Sequence, residues 1–386
     1  MKIGFIGLGK LGKDAAEVLG EKHDVLGYDI NPNIETEVPI AATMSDACKD
    51  QDLILVAVQT PHDPQYGGDA PTSHLPTKDF NYEYAIKAIQ DCDSYCNPGT
   101  LIALISTVLP GTIREHISKH VKNGQFVYNP YLIGQGTVKW DMRNPEMIMI
   151  GTEYGLDPHK EQVLRDCYDP TLEKPNTRYV TGTWEEIEAL KVFYNTFIST
   201  KLSLVNMIQD TAIKIGNINV DVVTKALAES TQRIMGPSYL RAGFGDGGGC
   251  HPRDNIALRY MAEKYDFGYD LFGSIMQVRE QQAKNMADFC ARFKNDVVIL
   301  GKRFKPGLKE NMTMGSPSML VGWFLDKQNF NVFYDAAPTN GIPYTYLIHD
   351  NTIDYTFNRG SVVIDPYREL PSSNEYHVIH YGNTRL

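Results

Sequence analysis

Six residues near the N-terminus constrain this chain more than any others. Gly7-Leu8-Gly9-Lys10-Leu11-Gly12 follows the short apolar run Lys2 to Ile6 and opens Asp14 to Glu21, a segment of helical composition. Glycines at this spacing between a strand and a helix have three distinct uses. Gly7 permits the tight turn, Gly9 lets a pyrophosphate approach the backbone, and Gly12 lets the helix pack on the strand. The helix start then offers open N–H groups and a positive dipole end to phosphate. Asp29 lies 22 residues beyond Gly7, at the end of a second short strand, Asp24 to Tyr28. A carboxylate there accepts hydrogen bonds from a ribose 2′-hydroxyl and repels a 2′-phosphate, so the pattern predicts NAD rather than NADP. Gly7, Gly9, Leu11, Gly12 and Asp29 are the expected cofactor residues.

The rest of the chain extends that start. Strand candidates recur at Leu53 to Val58, Leu101 to Ser106, Gln125 to Tyr128 and Met147 to Ile150, with helical segments between several of them. Strands alternating with helices imply a parallel, doubly wound Rossmann-type sheet. Val58-Gln59-Thr60-Pro61 and Ile105-Ser106-Thr107-Val108 place hydroxyls where strands become loops, the edge at which ligands of such sheets sit. Thr60, Ser106 and Thr107 are therefore either cofactor contacts or turn caps. After about residue 183 the character changes. Trp184 to Ile215, Val220 to Glu229, Asn255 to Lys264 and Ser274 to Phe293 all read as helices. From Asp296 the strand and helix pattern returns, with Val297 to Gly301, Asn331 to Tyr334 and Ser361 to Ile364 as strands and Pro317 to Asp326 as a helix. The expected α/β organisation is a Rossmann-type domain over 1–183, an all-helical domain with a long connecting helix over 184–294, and a smaller Rossmann-like domain over 295–386. The polar, Pro- and Gly-rich stretch Pro61 to Asp79 reads as a long loop.

Composition excludes several classes. The 386 residues carry a net charge of −10, which argues against nucleic acid and anionic membranes as partners. No apolar run is long enough to span a bilayer, and Met1 leads straight into a strand without a secretory signal, so a cytoplasmic protein is expected. Six cysteines in a chain of this length fit a reducing compartment. Cys92 and Cys96 stand at helix-face spacing with no metal-type cluster beside them and read as structural, so no metal is expected.

Gly243-Phe244-Gly245-Asp246-Gly247-Gly248-Gly249-Cys250-His251-Pro252-Arg253-Asp254 is the most unusual stretch. Five glycines in seven residues are costly to order and make sense where a backbone must approach something closely. A cysteine closing such a loop is a candidate nucleophile. A thiol does nothing for simple alcohol oxidation. It is useful where an aldehyde must be carried to an acid: the thiolate adds to the aldehyde, and the thiohemiacetal can lose a second hydride to give a thioester. The alternative is an inert buried cysteine beside a flexible turn. Asp254 reads either as an acid–base group or as the N-cap of a helix starting at Asn255. His251 carries no assigned role. Lys191 and Asn195 stand four apart on one helix face, where Lys191 could stabilise an alkoxide or take its proton and Asn195 could hold an oxygen or a water. A plain solvated helix face is the alternative.

Together these residues resemble the UDP-glucose/GDP-mannose dehydrogenase family. The features that carry the resemblance are Gly7 to Gly12, Ser106-Thr107-Val108 with Pro110-Gly111-Thr112, Lys191 with Asn195, the loop Gly245 to Asp254, and Gly301 to Pro306 matching a third-domain Gly-x-x-Phe-Lys-Pro. The family oxidises the C6 hydroxymethyl of a nucleotide-linked hexose to a carboxylate with two NAD and one water. The resemblance implies Cys250 as nucleophile, Lys191 and Asn195 as oxyanion and water partners, Asp254 as a supporting acid–base group, and Thr107 near cofactor and water. It further implies substrate contacts at Leu132, Ile133, Tyr239, Arg241, Gly247, Phe304 and Lys305, and an Arg233 that reaches the nucleotide sugar of a neighbouring subunit in a homodimer. The expected reaction is oxidation of UDP-glucose to UDP-glucuronate. The departures are specific. The family's Pro-Glu-Phe-Leu-x-Glu stands here as Pro130-Tyr131-Leu132-Ile133-Gly134-Gln135, without either glutamate, and Phe-Pro-Lys has become His251-Pro252-Arg253. Tyr131, with an ordinary pKa of about 10, is no base near neutrality, and Gln135 takes no proton. The family uses those acids around thioester hydrolysis and water positioning. Two other functions compete: a non-hydrolytic or silent nucleotide-sugar binder, and a two-electron hydroxyacid-type dehydrogenase.

Overall fold

A computed structural model describes residues 1–61, 71–134, 136–174, 176–236, 241–248, 250–307 and 312–384, with Arg253 described in its backbone only. The chain forms two compact units, Met1–Leu202 and Ser203–Leu386.

The first unit is built on seven strands: β1 (Lys2–Ile6), β2 (Asp24–Tyr28), β3 (Leu53–Val56), β4 (Leu101–Leu104), β5 (Gln125–Tyr128), β6 (Met147–Thr152) and β7 (Arg178–Thr183), in the order β2-β1-β3-β4-β5-β6-β7. All neighbours run parallel except β5 and β6, which meet antiparallel at Tyr128 and Gly151. β3 and β4 read Leu-Ile-Leu-Val and Leu-Ile-Ala-Leu and are buried throughout. Strands covered on both faces are continuous apolar runs, and these two are covered on both. One face packs α2 (Met44–Cys48) and α3 (Glu83–Tyr95), and the other packs α1 (Gly12–Gly20), α4 (Val138–Arg143) and α5 (Pro158–Tyr168). β1 has β2 on one side and β3 on the other, so the strand order reverses there and opens a crevice at the carboxyl ends of β1 and β3. β7 was not anticipated from the sequence. Its Arg-Tyr-Val-Thr-Gly-Thr is mostly half-buried, as an edge strand with one neighbour can be.

Helix α6 (Trp184–Ile215) begins in the first unit and continues into the second. The second unit adds α7 (Val220–Ala228), α8 (Cys250–Lys264), α9 (Leu271–Ala291), β8 (Val297–Leu300), α10 (Pro317–Lys327), β9 (Val332–Tyr334), β10 (Thr345–Ile348), β11 (Val362–Asp365) and β12 (His377–His380). Its five strands are all parallel in the order β12-β11-β10-β8-β9. β8 sits between its two successors as β1 does. The echo reaches single residues. Gly301 follows β8 with φ +102° as Gly7 follows β1 with φ +96°, and Asp335 after β9 accepts from the Gly301 N–H (3.1 Å) as Asp29 after β2 accepts from the Leu8 N–H (2.7 Å). No helix among the described residues is long and apolar enough to cross a membrane.

One local expectation is corrected. The helix after the glycine loop starts at Cys250, not Asn255, so Asp254 lies inside α8 and is not its N-cap. Pro252 falls within the first turn, where a missing N–H breaks no helical hydrogen bond, so it does not delay the helix.

Candidate active site

Chain geometry explains the glycine turn. A Cβ on Gly7 would stand 2.8 Å from the Ala57 carbonyl oxygen, and one on Gly12 would stand 2.0 Å from the Gly7 carbonyl oxygen. A Cβ on Gly9 would meet nothing within 4 Å. Gly7 and Gly12 are thus required by the protein's own packing, whereas Gly9 faces open space. Asp29 braces the turn with both oxygens: Oδ2 accepts from the Leu8 N–H, and Oδ1 accepts from the Asn31 N–H at 2.8 Å. Leu8 is buried against Gly27, and Leu11 is exposed just before α1. Gly7, Gly9 and Asp29 line a cleft of ≈380 Å³ together with Tyr28, Val58 and Lys87. A cleft of that size, with a glycine backbone at one side and a carboxylate at the end of β2, fits a dinucleotide.

At the neighbouring strand ends the hydroxyls also serve the fold. Thr60 donates to the Thr107 carbonyl at 2.8 Å, and Ser106 donates to the Val58 carbonyl at 2.5 Å. The two loops are cross-tied, and Thr107 is held by its backbone.

Lys191 on α6 is half-buried, and its ammonium donates to the Tyr131 carbonyl at 2.6 Å. Burial holds its pKa below the usual lysine range, because losing water disfavours the cation. Asn195, one turn on, is exposed. The Tyr131 side chain turns away from Lys191. Its hydroxyl shares a 2.8 Å hydrogen bond with the Tyr168 hydroxyl, Tyr168 donates to Asn129 Oδ1, and Asn129 Nδ2 donates to the Met149 carbonyl at 2.7 Å. Burial pushes the Tyr131 phenol well above its ordinary pKa. Where the family carries its first glutamate, this chain supplies a backbone carbonyl and a phenol committed to the core. Leu132 and Ile133 pack against opposite core layers. Gln135 lies outside the described residues.

Glu188, three residues before Lys191, was missed by the sequence reading. It is fully buried and accepts from the Gly111 N–H (2.6 Å) and the Ile113 N–H (2.8 Å), which fixes the Pro110-Gly111-Thr112 turn against α6. Burial raises its pKa. The available signal was an acid on the apolar helix face beside Ile187.

Five of the chain's six cysteines are buried, and Cys250, in the second unit, is exposed at the first position of α8. Asp254 follows one turn later on the same helix. Two glycines of the loop are packed against the chain itself: a Cβ on Gly247 would stand 2.0 Å from the Phe304 carbonyl oxygen, and Gly248 has φ +101° and lies against the Phe304 ring, while Gly249 lies outside the described residues. The structure thereby brings Gly247, Phe304 and the loop before Cys250 together. Lys305 beside them is exposed. Arg241 donates to the Tyr367 carbonyl and to Glu369 Oε1, both at 2.7 Å. Arg233 is exposed in the turn after α7, and Tyr239 lies outside the described residues. Sequence reading also missed Arg279, whose Nε donates to Asp246 Oδ1 at 2.5 Å and anchors the loop to α9. Among the described residues no cluster of His, Cys, Asp and Glu could hold a metal.

Comparison with known proteins bears on both units. Residues 33–172 match the NAD binding domain, and residues 185–281 the central domain, of the UDP-glucose/GDP-mannose dehydrogenase family. The chain belongs to that family. NAD is therefore the cofactor. UDP-glucose 6-dehydrogenase of Rickettsia felis is 28% identical over 264 residues, a match covering 66% of this chain and 57% of that protein, so only a little over half of that relative is spanned. GDP-mannose 6-dehydrogenase of Pseudomonas savastanoi pv. phaseolicola is 25% identical over 414 residues, covering 94% of this chain and 90% of that one. A solved ternary complex of GDP-mannose dehydrogenase from Pseudomonas aeruginosa shares the fold with a TM-score of 0.80, at 18% identity over 98% of this chain and 99% of that one.

Proposed function

We propose that this chain is an NAD-dependent nucleotide-sugar 6-dehydrogenase that oxidises the C6 alcohol of UDP-glucose to the carboxylate of UDP-glucuronate. The observation that carries the reading is Cys250: an exposed thiol at a helix start, behind a glycine loop braced by Phe304, in a chain whose other cysteines are buried. The cleft lined by Gly7, Gly9 and Asp29 would hold NAD, which would supply the hydride acceptor for each of two oxidations. Gly7, Gly9, Leu11 and Gly12 would hold its phosphates, Asp29 its ribose, and Thr60, Ser106 and Thr107 its nicotinamide side. Lys191, with its lowered pKa, would take the C6 hydroxyl proton and then hold the developing oxyanion, with Asn195 as a second donor. Cys250 adds as thiolate to the aldehyde, keeps the sugar through the second oxidation as a thioester, and is released by water. Asp254 stands one turn from the sulfur as a supporting acid–base group.

Leu132, Ile133, Tyr239, Arg241, Gly247, Phe304 and Lys305 are the proposed nucleotide-sugar contacts, with Arg233 reaching a second subunit. The exposed apolar residues Phe193, Phe197, Ile198 and Leu202 on α6 support a homodimer. The working division is a cofactor domain over 1–183, a helical domain over 184–294 and a nucleotide-sugar domain over 295–386, in a cytoplasmic enzyme. The Rickettsia relative supports UDP-glucose as substrate, and the Pseudomonas relative makes GDP-mannose the competing one.

The test is a panel of nucleotide sugars assayed by NADH formation and product mass. The expected yield is about two NADH per sugar with a carboxylate product, abolished in Cys250→Ala. One NADH per substrate, or full turnover by Cys250→Ala, would sink the thioester route.

A further inference from the structure

The first turn of α8 carries more chemistry than a thiol. His251 follows Cys250 directly, and its Nδ1 lies 3.8 Å from Asp246 Oδ2, a short movement from a hydrogen bond. Asp246 is held from the far side. Arg279, only 14% exposed, donates Nε–H to Oδ1 and donates from Nη2 to the Gly315 carbonyl at 3.3 Å. The carboxylate is thereby fixed with its second oxygen toward the imidazole. A His whose Nδ1–H points at a carboxylate keeps Nε2 as the proton acceptor. Nucleophile, base and orienting acid thus lie within one short segment. Successive helix side chains diverge by roughly 100°, so the imidazole and the thiol leave α8 in different directions from adjacent positions. That placement suits a base acting on a water next to the sulfur better than one acting on the thiol proton.

Such a base is chemically required. Hydrolysis of a thioester near neutrality needs a proton acceptor, yet residues 130–134 hold no carboxylate, the Tyr131 phenol is bonded to Tyr168, and Asp254, the supporting acid–base group, lies a full helical turn beyond Cys250. Resting on the thioester pathway above, we propose that His251 is the general base that hydrolyses the Cys250 thioester, with Asp246 as its positioning residue. His251 Nε2 takes a proton from water as the water oxygen bonds to the thioester carbonyl carbon. The tetrahedral adduct collapses with cleavage of the C–S bond, and the imidazolium returns its proton to the departing sulfur. The carboxylic acid releases its own proton to solvent. Thioester and water become thiol, carboxylate and one proton, with no change of oxidation state.

The experiment uses the full chain with NAD and either UDP-glucose or GDP-mannose, comparing wild type with His251→Gln, His251→Phe, Asp246→Asn and Asp246→Glu. Both His251 variants should give a burst of about two NADH per active site and then turn over about 10²-fold more slowly. Intact-mass analysis should find the acyl adduct retained on Cys250, and added imidazole should restore part of the rate. Asp246→Glu should keep more activity than Asp246→Asn. Because His251 is exposed, its variants should melt with the wild type. Wild-type steady rates in both His251 variants overturn the inference, as does slowing before the first NADH with no adduct. Absence of NADH from the wild-type enzyme with both sugars would instead overturn the pathway on which it rests.

Discussion

Gly9 and Gly12 separate the demands of the fold from the demands of the cofactor. In Gly12→Ala the new methyl would stand 2.0 Å from the Gly7 carbonyl oxygen and 3.3 Å from the Phe5 ring. The oxygen must retreat by roughly 1.4 Å to reach ordinary contact, and it belongs to the backbone of the turn itself. Overpacking against an immobile group costs about 3 kcal/mol, and the better helix propensity of alanine returns about 1, leaving about 2 kcal/mol of destabilisation. In Gly9→Ala the methyl meets no protein atom within 4 Å. Its stability should stay within about 0.5 kcal/mol of the wild type. If a pyrophosphate occupies that space, the methyl displaces it from the N–H groups of the turn. Losing about 2–3 kcal/mol of binding raises the NAD Kd by roughly 30- to 150-fold. Urea unfolding and calorimetric titration with NAD measure the two quantities on the same samples. Unchanged NAD affinity in Gly9→Ala would refute the placement of the pyrophosphate, and a stability loss in Gly9→Ala equal to that of Gly12→Ala would refute the packing argument.

Two other outcomes follow from buried groups. Tyr168→Phe strips a hydroxyl from between Tyr131 and Asn129, leaves two polar groups short of a partner, and should lower unfolding stability by about 2–4 kcal/mol; a loss below about 0.5 would mean the chain of hydroxyls contributes nothing. Lys191 has a folded pKa below its unfolded value, so its contribution to stability is present above the unfolded pKa and lost as pH falls through the folded one. Removing the charge with Lys191→Met should therefore raise Tm more at pH 7 than at pH 10, and the reverse order in a pH series of melts would contradict the burial argument.

The cofactor crevice was legible along the chain because its signals are local. A strand, a turn that only glycine can make, a helix start and an acid at the next strand end lie within 29 residues. Apolar runs marked β1, β3, β4 and β8 for the same reason, since burial on both faces leaves a continuous pattern. β7, β10 and β12 carried no such mark: β7 and β12 are only partly covered, and β10, although buried, is a four-residue run that opens on Thr345 and Tyr346. The helix α8 starts at Cys250, ahead of Pro252, because a proline in a first turn breaks no helical hydrogen bond.

What the sequence alone determined was an inventory: a dinucleotide fingerprint, a thiol behind a glycine loop, a lysine on a long helix, and the absence of two expected glutamates. Tertiary structure decided what each residue is bound to. Gly247 and Gly248 serve Phe304, some 55 residues away in the chain; Asp246 belongs to Arg279; Tyr131 gives its carbonyl to Lys191 and its phenol to Tyr168; and a buried Glu188 holds the turn at Gly111. Each of these pairings joins residues far apart in sequence. Periodicity and local propensity report only on neighbours within a turn or two, so a partner brought in by chain folding leaves no trace in them.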